Sequence, residues 1–228
     1  MVSVTLVHAP VLSHYLRYTA TTAGRDKLLR MVQYFSRLCS TVLHRLNYSQ
    51  STIESFKSLQ RQFGRVRMIL RIGSFLENLI TAVRTLGDKD PVDPILRFLS
   101  IGSQLGYVCY LTLDTIMVFH IMGVYNLTSA KQLASTANRS WAAALLCSII
   151  SSSYILLASP RQVGDSRAVH GETTKEHSTA RIQLVTDLCD LTMPTSDLAP
   201  ARIDDSLVSL AGTISSLISV RNHWRKTA

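Results

Sequence analysis

The pattern of apolar and polar positions predicts an amphipathic α-helix over residues 24–46. At 100° per residue, its apolar side chains fall on one half of the helix and its cations on the other. The apolar half contains Leu28, Leu29, Met31, Val32, Phe35, Leu38, Val42, Leu43 and Leu46. The polar half contains Lys27, Arg30, Gln33, Arg37, His44 and Arg45. Thr22 is the expected N-cap, and Asp26 lies near the positive end of the helix dipole.

A second helical pattern covers residues 51–86, and its apolar stripe changes direction at Gly64. We expect a kink at Gly64, because the stripes before and after it point to roughly opposite sides. The later stripe consists of Met68, Ile69, Ile72, Phe75, Leu76, Leu79, Ile80 and Val83. Its polar side carries Arg67 and Arg71, a composition typical of a helix in a lipid headgroup layer. The alternative is that both helices pack together in a bundle and their arginines are merely solvated.

Two prolines end this pattern within residues 87–97, which we interpret as a linker. It separates a basic amphipathic region, residues 1–86, from an apolar region, residues 98–158. Residues 140–160 carry no charge and would reach about 31 Å as a helix, so they are the best candidate for a bilayer span. A buried helix in a protein core is the alternative.

The first apolar run, residues 98–130, is interrupted by Asp114 and His120. An ionisable group at mid-bilayer costs about 2.5–3.5 kcal/mol, so we expect Asp114 to face other helices. Gly102 and Gly106 form a G-x-x-x-G pair, which allows two membrane helices to approach closely.

The rest of the chain divides into a polar segment and a C-terminal helical region. Residues 159–181 contain proline and glycine among polar residues, which indicates an exposed loop. Within residues 182–228, the apolar stretch 206–220 would be about 22 Å long, short for a span. A thinned bilayer, a longer helix and a re-entrant placement are the alternatives. Gly212 and Ser216 suit close packing on another membrane helix.

Positive charge is concentrated in the first half of the chain. Residues 1–98 hold fourteen Lys/Arg and six Asp/Glu, a net charge of +8, whereas residues 99–228 hold ten and nine, a net charge of +1. Such basicity suits nucleic acid or anionic lipid equally well. The arginines lack stacking aromatics or a recognition fold, so we expect no nucleic acid partner. We therefore predict an all-α, membrane-associated helical bundle.

The sequence offers no motif for catalysis, a metal or a cofactor. The four cysteines are 70, 38 and 42 residues apart, which matches no metal or redox pair. Asp114 and His120 differ by about 240° on a helix and cannot act as a local pair. There is no phosphate loop or catalytic triad pattern, and the first residues lack a secretory signal pattern. The alternative function is a channel in which Asp114 and His120 face a pore for small metabolites.

Five segments in order along the chain carry a resemblance to a known family. They are residues 22–37, with Gly24-Arg25-Asp26-Lys27 and Gln33-Tyr34, residues 65–77, Tyr110 with Asp114, Asp190 before Pro194, and residues 212–217. This set resembles the peroxin-11 family in its fungal form, the peroxisomal membrane proteins that elongate and divide peroxisomes. The alternating Arg65, Arg67 and Arg71 depart from the adjacent basic residues commoner in that family.

The resemblance implies a peroxisomal membrane protein with both termini toward the cytosol, whose amphipathic helices enter one leaflet and bend it. It also implies self-association and work with a dynamin-related GTPase and its tail-anchored adaptor. The predicted lipid-inserting face is Leu28, Val32, Phe35, Met68, Ile69, Ile72, Phe75, Leu76, Leu79 and Val83. The predicted contacts to phosphates of anionic lipids are Lys27, Arg30, Arg37, Arg65, Arg67 and Arg71.

A peptide covering residues 65–83 should tubulate anionic liposomes, and replacement of both Ile72 and Leu76 by Glu should abolish this activity. The charges would face hydrocarbon, where each costs several kcal/mol. Electron microscopy of the liposomes measures the result. Tubulation by the substituted peptide would show that this segment does not act as a wedge.

Overall fold

A computed structural model describes residues 10–87, 93–124, 126–158, 167–199 and 203–227. All regular secondary structure in these ranges is α-helical, which confirms the predicted all-α class. The helices are α1 (Pro10–Ala20), α2 (Thr22–Arg45), α3 (Gln50–Leu70), α4 (Phe75–Gly87), α5 (Pro94–Ile121), α6 (Ala130–Ala158), α7 (Arg167–Leu198) and α8 (Asp205–Thr227).

The helices form two compact units. One unit contains α1, α2, α3 and α8, and the other contains α4, α5, α6 and α7. The predicted division, in which a basic region ends at residue 86, differs from this grouping. The boundary lies after Leu70, because α4 packs on α5. The last helix, α8, joins the first unit by packing on α2.

In the first unit, α2 begins at Thr22, two residues before the predicted helix of residues 24–46, and its N-cap lies one residue earlier than predicted. Thr21 is the N-cap in place of Thr22, and its hydroxyl accepts a hydrogen bond from the Gly24 amide at 3.0 Å. Gly24 lies where α1 meets α2, and a Cβ atom on it would be 2.1 Å from the Tyr18 carbonyl oxygen. Only glycine therefore permits this approach of the two helices.

The predicted kink at Gly64 is wrong. Helix α3 continues through Gly64 to Leu70, and the break follows at residues 71–74, where Gly73 has a φ of +83°. A glycine inside a helix costs only about 1 kcal/mol, which tertiary contacts can offset. Gly64 lies against α2, where an added Cβ atom would be 3.2 Å from the side-chain nitrogen Nε2 of Gln33. The change in the apolar stripe thus reflects a change of neighbours and not a bend.

In the second unit, α5 begins within the segment predicted as a linker. Asp93 is its N-cap and accepts from the Ile95 amide at 2.9 Å, with Pro94 in the first turn. The Tyr154 hydroxyl of α6 donates to the other oxygen of Asp93 at 2.5 Å. The linker of residues 87–97 is therefore wrong at both ends, since α4 includes Gly87 and α5 begins at Pro94. Residues 88–92 lie outside the described residues.

Helix α7 corrects another sequence-based prediction. Residues 159–181 were expected to form an exposed loop, but the chain is helical from Arg167 onward. Gly171 alone does not interrupt a helix, and the segment around it contains good helix formers such as Glu, Lys, Ala and Arg. Residues 159–166 lie outside the described residues. Helix α7 packs on α6, where the Ser148 hydroxyl donates to Asp187 at 2.5 Å.

Small and polar residues form many of the contacts inside both units, beside buried apolar residues such as Val118, Leu145 and Val208, while many large apolar residues point outward. In α8, Ser209, Ser215 and Ser216 are fully buried. The same helix exposes 40–56 % of the side chains of Leu207, Leu210, Ile214 and Leu217. In the other unit, α7 buries Asp187 and Asp190 and exposes Val185 and Leu188. This is the distribution expected of membrane helices, which associate through small residues and hydrogen bonds while apolar side chains meet lipid.

One of the described helices, at Ala130–Leu157 in α6, is long and apolar enough to cross a membrane. It contains most of the span predicted at residues 140–160. Most of its apolar stretch is not buried within the structure, unlike the core helix of a water-soluble protein. Gly106 of α5 lies directly on it, because a Cβ atom there would be 2.8 Å from the Ala144 Cβ. At Gly102, an added Cβ atom would be 3.3 Å from the Cys147 sulfur of α6.

Replacement of Gly106 by Ala should destabilise the second unit by about 1–3 kcal/mol, because the new methyl group meets the backbone of Ala144. Gly102→Ala is the matched control and should cost less, since its neighbour is the movable end of Cys147. Thermal unfolding in detergent, followed by circular dichroism, measures both. Equal shifts would contradict the close approach at Gly106.

Candidate membrane-binding surface

Helix α4 presents an apolar stripe on the side that faces away from the protein. The stripe consists of Leu76, Leu79, Ile80 and Val83, whose side chains are 39–58 % exposed. These positions recur at steps of three and four residues, so they share one face of the helix. We call this set the α4 stripe.

The other side of α4 packs on the second unit. Phe75 contacts a buried cluster of Tyr110, Leu111 and Ala137, and Ala82 is 1 % exposed. Asn78 is half-buried and donates to the Ser74 carbonyl at 3.2 Å. Phe75 was predicted to insert into lipid, but the structure places it against protein.

Arg71 attaches the start of α4 to α5. Its guanidinium donates to Asp114 at 2.9 Å and to the Tyr110 hydroxyl at 3.2 Å, and it lies 5.7 Å from the centre of the Tyr110 ring. Tyr110 in turn stacks on Trp141 of α6, with ring centroids 5.1 Å apart. Asp114 therefore faces other helices, as the cost of a mid-bilayer charge suggested, and its partner is a cation from the amphipathic segment.

Arg67 plays the corresponding part in the first unit. It is 8 % exposed and donates to Asp26 at 2.9 Å and to the Gln33 side chain at 2.8 Å. Both partners lie on α2, so Arg67 holds α3 to α2. In the same segment Met68 is half-buried and Ile69 is exposed.

Three other cations that were predicted to bind lipid phosphates also contact the protein. Arg30 donates to the Ser215 hydroxyl at 2.9 Å, and Arg37 pairs with Asp205. Burial lowers the pKa of Lys27, although the adjacent Asp26 opposes this shift. The donor groups of Arg30 and Arg37 in these contacts are thus used within the first unit.

Arg65 is the sixth predicted phosphate contact, and the structure leaves it exposed. Within the described ranges it forms no ion pair. Arg84, which the sequence-based prediction did not include, is also exposed and lies on α4 itself, beside the α4 stripe.

The predicted inserting residues of α2 have different surroundings from one another. Leu28 and Val32 are half-buried, whereas Phe35 is 55 % exposed. Helix α2 contacts both α3 and α8, and Gly212 of α8 lies so close to Tyr34 that a Cβ atom would be 2.3 Å from its ring. Ser216, the other predicted packing residue of α8, is fully buried.

The two groups considered for a pore both have partners within the protein. Asp114 is paired with Arg71, and the His120 ring accepts a hydrogen bond from the Leu127 amide at 3.2 Å. Neither contact favours the channel over insertion into a leaflet.

The sequence analysis named Asp26, Gln33 and Tyr110 but did not predict that they bind arginines, and it did not predict the stacking of Trp141 on Tyr110. One signal could have found part of this set. A single acidic residue in a long apolar run needs a cation, and Arg71 lies in the nearest basic helical segment. No comparable signal predicts that Gln33 and Asp26 share Arg67.

The segments that carry the family resemblance contact one another within each unit. Asp26 and Gln33 of segment 22–37 bind Arg67 of segment 65–77. In the other unit, Arg71 binds Tyr110 and Asp114.

The fold and this surface define an all-α, membrane-associated protein whose helices pack through small and polar side chains. The chain matches the profile of the family described as Peroxisomal biogenesis factor 11 (PEX11) over residues 12–224. It belongs to that family.

Individual relatives agree with this assignment. Peroxisomal membrane protein PMP27 of Saccharomyces cerevisiae is 25 % identical, and the alignment covers 100 % of both chains. Peroxisomal biogenesis factor 11 of Schizosaccharomyces pombe is 24 % identical over 94 % of this chain and 95 % of the relative. Peroxisomal membrane protein 11A of Bos taurus is 22 % identical over 90 % and 94 %. No solved structure matches the chain significantly.

Replacement of Asp26 by Asn should destabilise the first unit by on the order of 3 kcal/mol, because it leaves the buried Arg67 cation without its counter-charge. Glu54→Gln is the matched control. Glu54 pairs with Lys57 and Arg61 on the surface of the same unit, so its loss should cost less than about 1 kcal/mol. Thermal unfolding in detergent compares the two. Equal effects would show that Arg67 finds another partner.

Proposed function

We propose that this protein resides in the peroxisomal membrane and remodels it, elongating the organelle before division by inserting the α4 stripe into one leaflet. The observation that carries the proposal is the orientation of α4. Its apolar side points outward while its opposite side is held on α5. A helix placed in this way adds volume to one leaflet, which favours curvature.

The energy of insertion is modest for one copy. Each of the four half-exposed side chains of the α4 stripe gains roughly 1 kcal/mol on entering hydrocarbon. On α4 itself, exposed Arg84 adds about 1 kcal/mol near an anionic surface, and salt weakens this contribution. Exposed Arg65 would contribute a similar amount where the first unit meets anionic lipid. Anionic lipids are therefore the proposed partners, with each of these arginines as a phosphate contact of its own unit. Many copies acting together would be needed to bend a membrane.

Two observations support the membrane location. The segment Ala130–Leu157 of α6 has the length and composition of a span. Relatives that align with nearly the whole chain are named peroxisomal membrane proteins. We propose no enzymatic activity and no cofactor.

Three finer points rest on the family resemblance alone. We propose that both termini face the cytosol, that copies of the chain associate with each other, and that a dynamin-related GTPase and its tail-anchored adaptor complete the division that elongation begins. Protease protection of tagged termini on isolated peroxisomes tests the first point.

Replacement of Ile80 by Glu should abolish tubulation of anionic proteoliposomes by the full-length protein, because the charge would enter hydrocarbon with the α4 stripe. In cells that lack the native protein, the same variant should fail to restore peroxisome number and elongated shape. Microscopy measures both effects.

Thr81→Glu is the matched control for this experiment. Thr81 is the next residue on α4 and is also exposed, but it lies beside the α4 stripe, so this variant should retain activity. Normal tubulation and rescue by Ile80→Glu would refute the proposed function.

A further inference from the structure

Helix α4 packs on the protein through its less apolar side. The side on α5 contains Phe75, Asn78 and Ala82, whereas the outward side carries the four large aliphatic residues of the α4 stripe. The hydrophobic effect by itself favours burial of the larger apolar area. Packing energy within the protein therefore does not explain why α4 adopts this rotation about its own axis.

The contacts of Arg71 can supply this orientation. A short turn connects Arg71 to the start of α4 at Phe75. The Ser74 amide donates to the Arg71 carbonyl oxygen, and the Leu76 amide donates to the Gly73 carbonyl oxygen. The turn depends on Gly73, whose φ of +83° is a conformation that other residues rarely adopt. A short, hydrogen-bonded turn transmits the position of Arg71 to the first residue of the helix.

The partners of Arg71 belong to a packed cluster and define its direction. Asp114 is 9 % exposed, and Tyr110 is buried and stacked on Trp141. The guanidinium donates from two different nitrogens to two different residues, at 2.9 and 3.2 Å. A planar, forked donor held at two points has one orientation, unlike a single flexible contact.

We propose that Arg71 is a positioning residue that fixes the rotation of α4 and so keeps the α4 stripe toward lipid. Its ion pair with Asp114 selects one packing of an amphipathic helix against a more apolar alternative. In other proteins, buried polar residues fix the register of helix packing in the same way, at a cost in stability. This inference rests on the proposed function, because it explains how the inserting surface is presented.

Spin labels on opposite sides of α4 test the proposal in the full-length protein. The four cysteines, Cys39, Cys109, Cys147 and Cys189, are free and are first replaced by Ala. One label is then placed at Ile80→Cys and another, in a separate protein, at Asn78→Cys. These positions lie about 160° apart around the helix at 100° per residue. The ratio of oxygen accessibility at the two labels, in anionic proteoliposomes, reports the rotation of α4.

With Arg71 present, the label at position 80 should be the more accessible to oxygen in lipid. Arg71→Gln should bring the ratio of the two accessibilities close to one. Arg139→Gln is the matched control, because it removes an exposed arginine of the same unit that lies on α6 and not on α4, and it should leave the ratio unchanged. A double variant that carries both Arg71→Asp and Asp114→Arg exchanges the two charges and should restore the ratio at least in part. An unchanged ratio in Arg71→Gln would overturn the inference.

A check on folding and a substitute variant keep the result interpretable. Far-ultraviolet circular dichroism checks that the Arg71→Gln protein retains its helicity. If helicity is lost, the isosteric variant Asp114→Asn is used in place of Arg71→Gln, with the same expected result and the same overturning result. If the label at position 80 does not reach lipid even with Arg71 present, the proposed function fails. If it does so with and without Arg71, in the original ratio, only the role of Arg71 fails.

Discussion

The structure depends on helix contacts in which small and polar side chains take a large part. Gly106 against Ala144 and Gly212 against Tyr34 bring backbones close together, and Ser148 with Asp187 supplies a hydrogen bond between helices. Because these contacts use little apolar surface, many of the leucines and isoleucines remain for the surroundings. In water such a surface would drive aggregation, so this packing is suited to a lipid environment.

Arginine has two separate uses in the basic part of the chain. Arg67 and Arg71 are four residues apart, yet they belong to different units and hold different helices. Arg65 and Arg84 remain exposed and can meet phosphate groups. A net positive charge therefore overstates the number of cations available to a membrane, because several already neutralise carboxylates or bind hydroxyl groups within the protein.

The family resemblance gains a physical meaning from these contacts. Its segments are distant in sequence, but Asp26 and Gln33 meet Arg67, and Tyr110 and Asp114 meet Arg71. The residues are thus paired components of helix packing and not isolated lipid-binding motifs. The proposed inserting surface is placed by such pairs, and its own residues need only be apolar and correctly spaced.

The sequence alone determined the features that arise from local periodicity. The 100° repeat predicted the helices over residues 24–46 and 51–86, and the absence of charge predicted the candidate span that α6 contains. Only the tertiary structure decided that the chain breaks at Gly73 and not at Gly64, and that α8 returns to pack on α2. It also decided which arginines remain exposed. The physical reason is that periodicity describes the faces of one helix, whereas the neighbour of each face depends on residues far away along the chain.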